Sequence, residues 1–293
     1  MSIKDNALLV SISVNKPQMT AKDHKATSDA ESANDAHGAG QYRKDLYPKH
    51  LIAPIIAVES AARAYVEQTT YQWGRGEFLL PVPRFMEFTE RIGKFELEFG
   101  QCVTAFLNNW SNVLLAAQQS QGGLFDASNY PDLMDMRNDF RFRVNYRPVT
   151  DMADFRVKCQ EDELDTLRAE VERATKEATE NMLRTPLLRL QKVVAKLHEV
   201  TGKVERSSVN KRTGATEYRA PIFRDSVVEN ISAEIALLHD FAAVLPEALL
   251  DVAKQVADMT PHPQMLRDDP QKRADTNVQT SKLLSIIDDM LGN

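Results

Sequence analysis

Apolar residues recur along this chain at two spacings, and the spacing assigns the elements. Ala7 to Val14 is rich in Leu, Val and Ile and stops near Pro17, which predicts a strand. From residue 16 to 41 Ala, Ser, Asp, Asn, Gly and Lys dominate, which predicts a polar arm that buries too little surface to order itself. Ile52, Ile55, Ile56, Ala62 and Tyr65 or Val66 then recur at helical spacing over 51–68. Gly74, Gly76, Pro81 and Pro83 interrupt that pattern before a second helix over 84–120. There Phe85, Phe88, Ile92, Phe95, Phe99, Val103, Phe106 and Trp110 step by three or four, a stripe suited to a core-facing helix.

After Gly122-Gly123 and a short helix over 132–138, residues 140–147 alternate strictly. Strand periodicity turns Phe140, Phe142, Val144 and Tyr146 one way and Arg141, Arg143, Asn145 and Arg147 the other. A further short strand is expected at 153–157. Residues 161–202 carry a narrow apolar seam from Leu164 to Leu197 that Pro186 should kink or split. A polar, basic loop or hairpin follows at 201–220. A return helix over 225–259, with Pro246 as a breaker, a linker over 260–280 and an amphipathic helix over 281–291 complete the chain.

These elements predict an α+β, mainly α fold: a long helical hairpin with a small antiparallel β-sheet. The expected divisions are an N-terminal α+β domain over 1–158 with its polar arm at 16–41, a helical hairpin over 159–260 with a basic tip at 203–224, and a flexible linker and terminal helix over 261–293.

The 293 residues include 43% hydrophobic side chains, enough for a core, and 27% charged ones. A net charge of −6 excludes an overall basic coat but not a local basic face. Cys102 and Cys159 form no CxxC pair, so two thiols in a reducing compartment are expected. Ala7 to Val14 is too short to span a bilayer and lacks the flanks of a signal peptide, so the expected setting is cytoplasmic, with no membrane partner.

The chain contains no Walker loop, GxGxxG, HExxH or GxSxG motif, and its six histidines show no metal-ligand spacing. The reading is therefore of a non-enzymatic protein without catalytic residues, metal or cofactor. Arg141, Arg143 and Arg147 are its sharpest chemical feature. Three guanidiniums on one strand face repel each other unless an anion or the protein's own carboxylates meet them, and phosphate fits their planar fork. Between Lys203 and Arg224 six cations face two carboxylates, with Lys211 and Arg212 at the centre, a charge pattern that can grip a nucleic-acid backbone or merely decorate a solvated hairpin. Tyr42, Arg43 and Lys44 mix rings with cations, as single-strand binding does, and Trp73 is a further candidate for stacking on bases. Ile286, Ile287, Asp288, Asp289, Met290 and Leu291 form an acidic, apolar end that either docks into a partner's groove or packs back on its own domain.

Taken in order, several stretches also form a familiar series: Leu8 to Val14, then Gly40 to Leu46, Ala61 to Tyr65, Trp73-Gly74, Leu79 to Pro81, Leu124 to Asp126, Tyr130-Pro131, Phe140 to Phe142 and Asp154 to Val157. The series resembles a domain of unknown function from tailed phages and prophages, over about residues 7 to 160 closely and over the helical remainder loosely. Members are often encoded near a MoxR- or CobS-like AAA+ ATPase. The resemblance implies a phage origin, a host bacterial cytoplasm and no known activity. The expectation is a nucleic-acid-binding protein, for single-stranded DNA, acting in phage replication or recombination. The alternative is a helical scaffold or adaptor that self-associates as a homo-oligomer or partners an AAA+ ATPase or replication protein.

Overall fold

A computed structural model describes residues 3–149, 161–202, 206–209, 216–219 and 223–292. In chain order the elements are α1 (Ile3–Asn6), β1 (Ala7–Asn15), β2 (Thr20–Lys22), α2 (His24–Ala33), β3 (Arg43–Asp45), α3 (Lys49–Thr69), β4 (Tyr71–Gly74) and β5 (Glu77–Pro81). There follow α4 (Phe85–Asn108), α5 (Trp110–Gln121), α6 (Leu133–Asp139), β6 (Arg141–Pro148), α7 (Glu161–Thr201), β7 (Arg206–Val209) and β8 (Thr216–Arg219). The last are α8 (Ser226–Asp240), α9 (Glu247–Met259), α10 (Pro263–Asp268) and α11 (Pro270–Leu291). The fold is α+β and mainly α. Its small antiparallel sheet has the strand order β4-β5-β1-β6, so β6 stands at an edge of the described strands, and β2 pairs with β3 and β7 with β8. The tight β4–β5 connection needs Gly76, whose φ is +75°.

The chain forms two compact units, and neither is continuous in sequence. One holds residues 1–9, 69–84 and 147–293, the other 10–68 and 85–146. The second unit has the core foreseen from the aromatic stripe: Phe88, Ile92, Phe95, Phe99, Val103 and Phe106 of α4 are all buried. Tyr65 of α3 lies against Phe88 and Phe95, and Phe140 and Phe142 meet Phe99. Residues 16–41, expected as an unstructured arm, contain β2 and α2. Asp23 starts α2 by accepting from the Ala26 amide (2.9 Å), and its other carboxylate oxygen meets Lys44 (3.1 Å).

In the first unit α7 packs against α8, α9 and α11, so the expected hairpin gains a third long helix. Leu187, Leu190, Val194 and Leu197 of α7 are buried with Ile231, Leu237 and Leu238 of α8. Pro186 lies inside α7, which runs through it, whereas residues 241–246 separate α8 from α9. The expected linker at 260–280 is mostly helical. His262 and Asp269 cap α10 and α11 with their side chains, and Pro263 and Pro270 take the first helical positions, where a missing N–H costs nothing. Asn277 of α11 donates to the His198 carbonyl of α7 (2.8 Å), and Thr280 meets His198 Nδ1 (3.0 Å). The strand expected at 153–157, and Cys159, lie outside the described residues.

Candidate functional site

β6 presents the alternation that its sequence encodes. Phe142 and Val144 are half-buried, and the Tyr146 ring meets Phe85 (5.5 Å) and Phe88 (6.3 Å) edge-on. Arg141, Arg143 and Asn145 are exposed. On neighbouring β1, Val10 is buried and Val14 packs on the same aromatic core as Phe142. The period of two therefore turns Ser11, Ser13 and Asn15 to the face that carries Arg141 and Arg143. The result is an open polar face of hydroxyl, amide and guanidinium groups.

The three arginines of the row differ in their neighbours. Arg147 forms an ion pair with Glu77 of β5 and is neutralised within the protein. Arg141 donates from Nε to the Asn138 carbonyl (3.0 Å) at the C-terminal end of α6, where a cation complements the helix dipole. No described carboxylate pairs with it. The Arg143 side chain has neither a hydrogen bond nor an ion pair among the described residues. Asn15, Lys16, Asn138, Asp139 and Arg141 line a shallow depression of about 580 Å³ beside this face. The Lys16 ammonium is held by Glu59, which Arg63 also engages (3.1 Å). Burial raises the Glu59 carboxyl, but the two cations outweigh it and hold the group below its usual value.

The other expected site residues scatter. Lys44 is buried, with its ammonium between Asp23 and the Leu124 carbonyl, so it is a structural strut and not a phosphate ligand. Arg43 is exposed and donates to Thr20 Oγ1 (2.8 Å from Nη2). Tyr42 is exposed beside it, while Tyr47 is buried among Phe106, Trp110 and Tyr130. Trp73 is half-buried and packs against the core of the first unit. Lys211 and Arg212 lie outside the described residues. At the C-terminal end Ile287 is fully buried, Leu291 packs on the same core and Asp288 accepts from Gln191, whereas Ile286 and Met290 are partly exposed and Asp289 is exposed. The segment packs back on its own unit rather than standing free for a partner.

One polar cluster escaped the sequence. Glu234 of α8 is buried; its Oε1 accepts from the Tyr71 hydroxyl (3.0 Å) and its Oε2 from Arg189 Nε (2.9 Å). Arg189 also donates to the Thr70 carbonyl (3.0 Å) and lies over the Tyr71 ring. Burial raises the Glu234 carboxyl above its usual range despite the guanidinium beside it. Burial, and then the Glu234 charge, push the Tyr71 phenol up. The cluster is buried at Glu234 and Tyr71, leaves Arg189 partly exposed, and ties α7, α8 and β4 together. Among the described residues no group of three or more His, Cys, Asp or Glu side chains could hold a metal ion, and no helix is long and apolar enough to cross a membrane. Comparison with protein-family models, curated proteins and solved structures gave no match.

Proposed function

We propose that this chain is a non-enzymatic nucleic-acid-binding protein whose open β1–β6 face meets phosphates, with single-stranded DNA as its ligand. The observation that carries this reading is Arg143, a guanidinium exposed on an open polar face, unpaired among the described residues and one period from Arg141. Water solvates such a group well, but an anionic chain gains counterion release by neutralising it. Lys211 and Arg212 would add charge to the same task, and a place in phage replication or recombination follows from the resemblance of the sequence. Fluorescence anisotropy of a labelled single strand at two salt concentrations tests the reading. The expected result is binding that weakens with salt and weakens further in the Arg141→Gln, Arg143→Gln double variant. Absence of binding by the unaltered chain removes the proposal. Equal binding by the double variant would leave the two arginines only the role of charges that keep an edge strand from pairing with another chain.

The alternative is a helical scaffold or adaptor that self-associates or partners an AAA+ ATPase. One observation favours it: Leu97 of α4 is 63% exposed between the outward-facing Gly93 and Gly100. Light scattering on the unaltered chain and on Leu97→Asp separates the two readings. A dimer abolished by the substitution supports the scaffold, and a monomer in both cases counts against self-association.

A further inference from the structure

Resting on the nucleic-acid reading, we infer that this face recognises the phosphate chain alone and makes no stacking contact with bases. Single-strand binders that hold bases do so on aromatic platforms beside their cationic groove. Here β1 has no aromatic residue, and both rings of β6 that follow Phe140 are committed to the opposite side. Phe142 lies against Phe99 (5.6 Å) and Tyr146 against Phe85 and Phe88. Freeing Phe142 would open the aromatic core, and Tyr146, though 37% exposed, keeps its ring edge-on to Phe85 and Phe88. What the face offers instead is Arg141 and Arg143, about 6.8 Å apart along the strand, with the short side chains of Ser13, Asn15 and Asn145 on the same face. Guanidinium, hydroxyl and amide donors of this kind fix a backbone in place and carry no sequence information. Asn145 could pair with a base edge, but no neighbouring ring on either strand would hold that base in position.

The shared ligand chemistry is a run of phosphates, which a nucleic acid or an inorganic polyphosphate can supply. The test uses the full chain and three probes with equal numbers of phosphates: a mixed-sequence single strand, its abasic counterpart and polyphosphate. The expected result is that base-bearing and abasic strands bind within about threefold of each other, because each stacked base would otherwise contribute about fivefold or more. The slope of log K against log salt should flatten by about 0.7 in Arg143→Gln, the loss of one single-strand phosphate contact. A base-bearing strand that binds more than about tenfold tighter than the abasic one overturns the inference while leaving nucleic-acid binding intact. Polyphosphate binding far more tightly than either strand keeps the phosphate chemistry and overturns the nucleic-acid reading. No binding to any probe overturns both. Because the Arg143 side chain is exposed and bonded to no described residue, its substitution leaves the core untouched, and unchanged circular dichroism checks this.

Discussion

Replacing Glu234 with leucine should be among the most damaging single changes on α8. The side chain is 4% exposed and supplies acceptors to two donors at once, the Tyr71 hydroxyl and the Arg189 guanidinium. Leucine would leave both without their acceptor in a packed environment. Removing one partner of a buried ion pair costs about 3–5 kcal/mol. Arg189 keeps its bond to the Thr70 carbonyl and part of its hydration, which places the expected loss toward the lower end, about 3 kcal/mol. The double variant Glu234→Leu, Arg189→Met removes both charges and should recover most of that loss, since an apolar pair of similar volume is often neutral or stabilising. Trp73 packs on the core of this unit and Trp110 on the core of the other, so Trp110→Phe leaves a fluorescence reporter for the first unit alone. Urea titration in that background should show a lower midpoint for the single variant, with its slope unchanged. The sign of the pH effect follows from the raised carboxyl. The folded state holds this proton more tightly than the unfolded state, so the contribution of Glu234 is full below its ordinary value near 4.5 and declines as pH rises through the raised folded-state value. The gap between the unaltered chain and Glu234→Leu should therefore narrow from mildly acidic buffer toward neutrality. A single variant within about 1 kcal/mol of the unaltered chain, or a double variant no better than the single, refutes the reasoning.

Three other outcomes are expected. Ile287→Ala, at a fully buried position, should cost about 2–5 kcal/mol and make α11 the first site cut in limited proteolysis; unchanged resistance would mean that α11 does not hold the unit together. Asp132→Ala should cost about 1 kcal/mol, because its carboxylate accepts from the Met134 (2.9 Å) and Asp135 (2.8 Å) amides at the start of α6; an unchanged midpoint would discount that cap. In alkaline titration followed by phenolate absorbance, Tyr47 and Tyr71 should stay protonated above the ordinary phenol range, since burial raises both. Their contribution to stability is full below the ordinary phenol value and lost as pH rises beyond it, so their ionisation should coincide with unfolding.

What the sequence disclosed depended on whether one side of an element faces a core. α4 needs an unbroken apolar stripe, and its phenylalanines announce it. β6 needs alternation, and residues 140–147 supply it. Asp269-Pro270 and His262-Pro263 looked like linker because proline and aspartate are common in loops, yet each pair also opens a helix, with the first residue capping and the proline at the first turn. The Asp23–Lys44 pair joins residues 21 positions apart, and no local pattern marks either as buried. Glu234 is harder still. A lone glutamate on an amphipathic helix is usually solvated, and only the approach of Arg189 and Tyr71 from other elements makes it a core residue. At the candidate site the sequence placed the arginines on one side of a strand correctly, but it could not foresee that Glu77 neutralises Arg147 while Arg143 stays open.

The two units are interleaved along the chain, which passes between them within β1, at the end of α3, at the start of α4, and within β6. No single cut can therefore release either one whole: any fragment boundary removes part of a core. During synthesis Ala7 and Leu9 emerge long before Leu190, Ile231 and Ile287, the side chains with which they share an interior, so the first unit must wait for nearly the entire polypeptide before it can close.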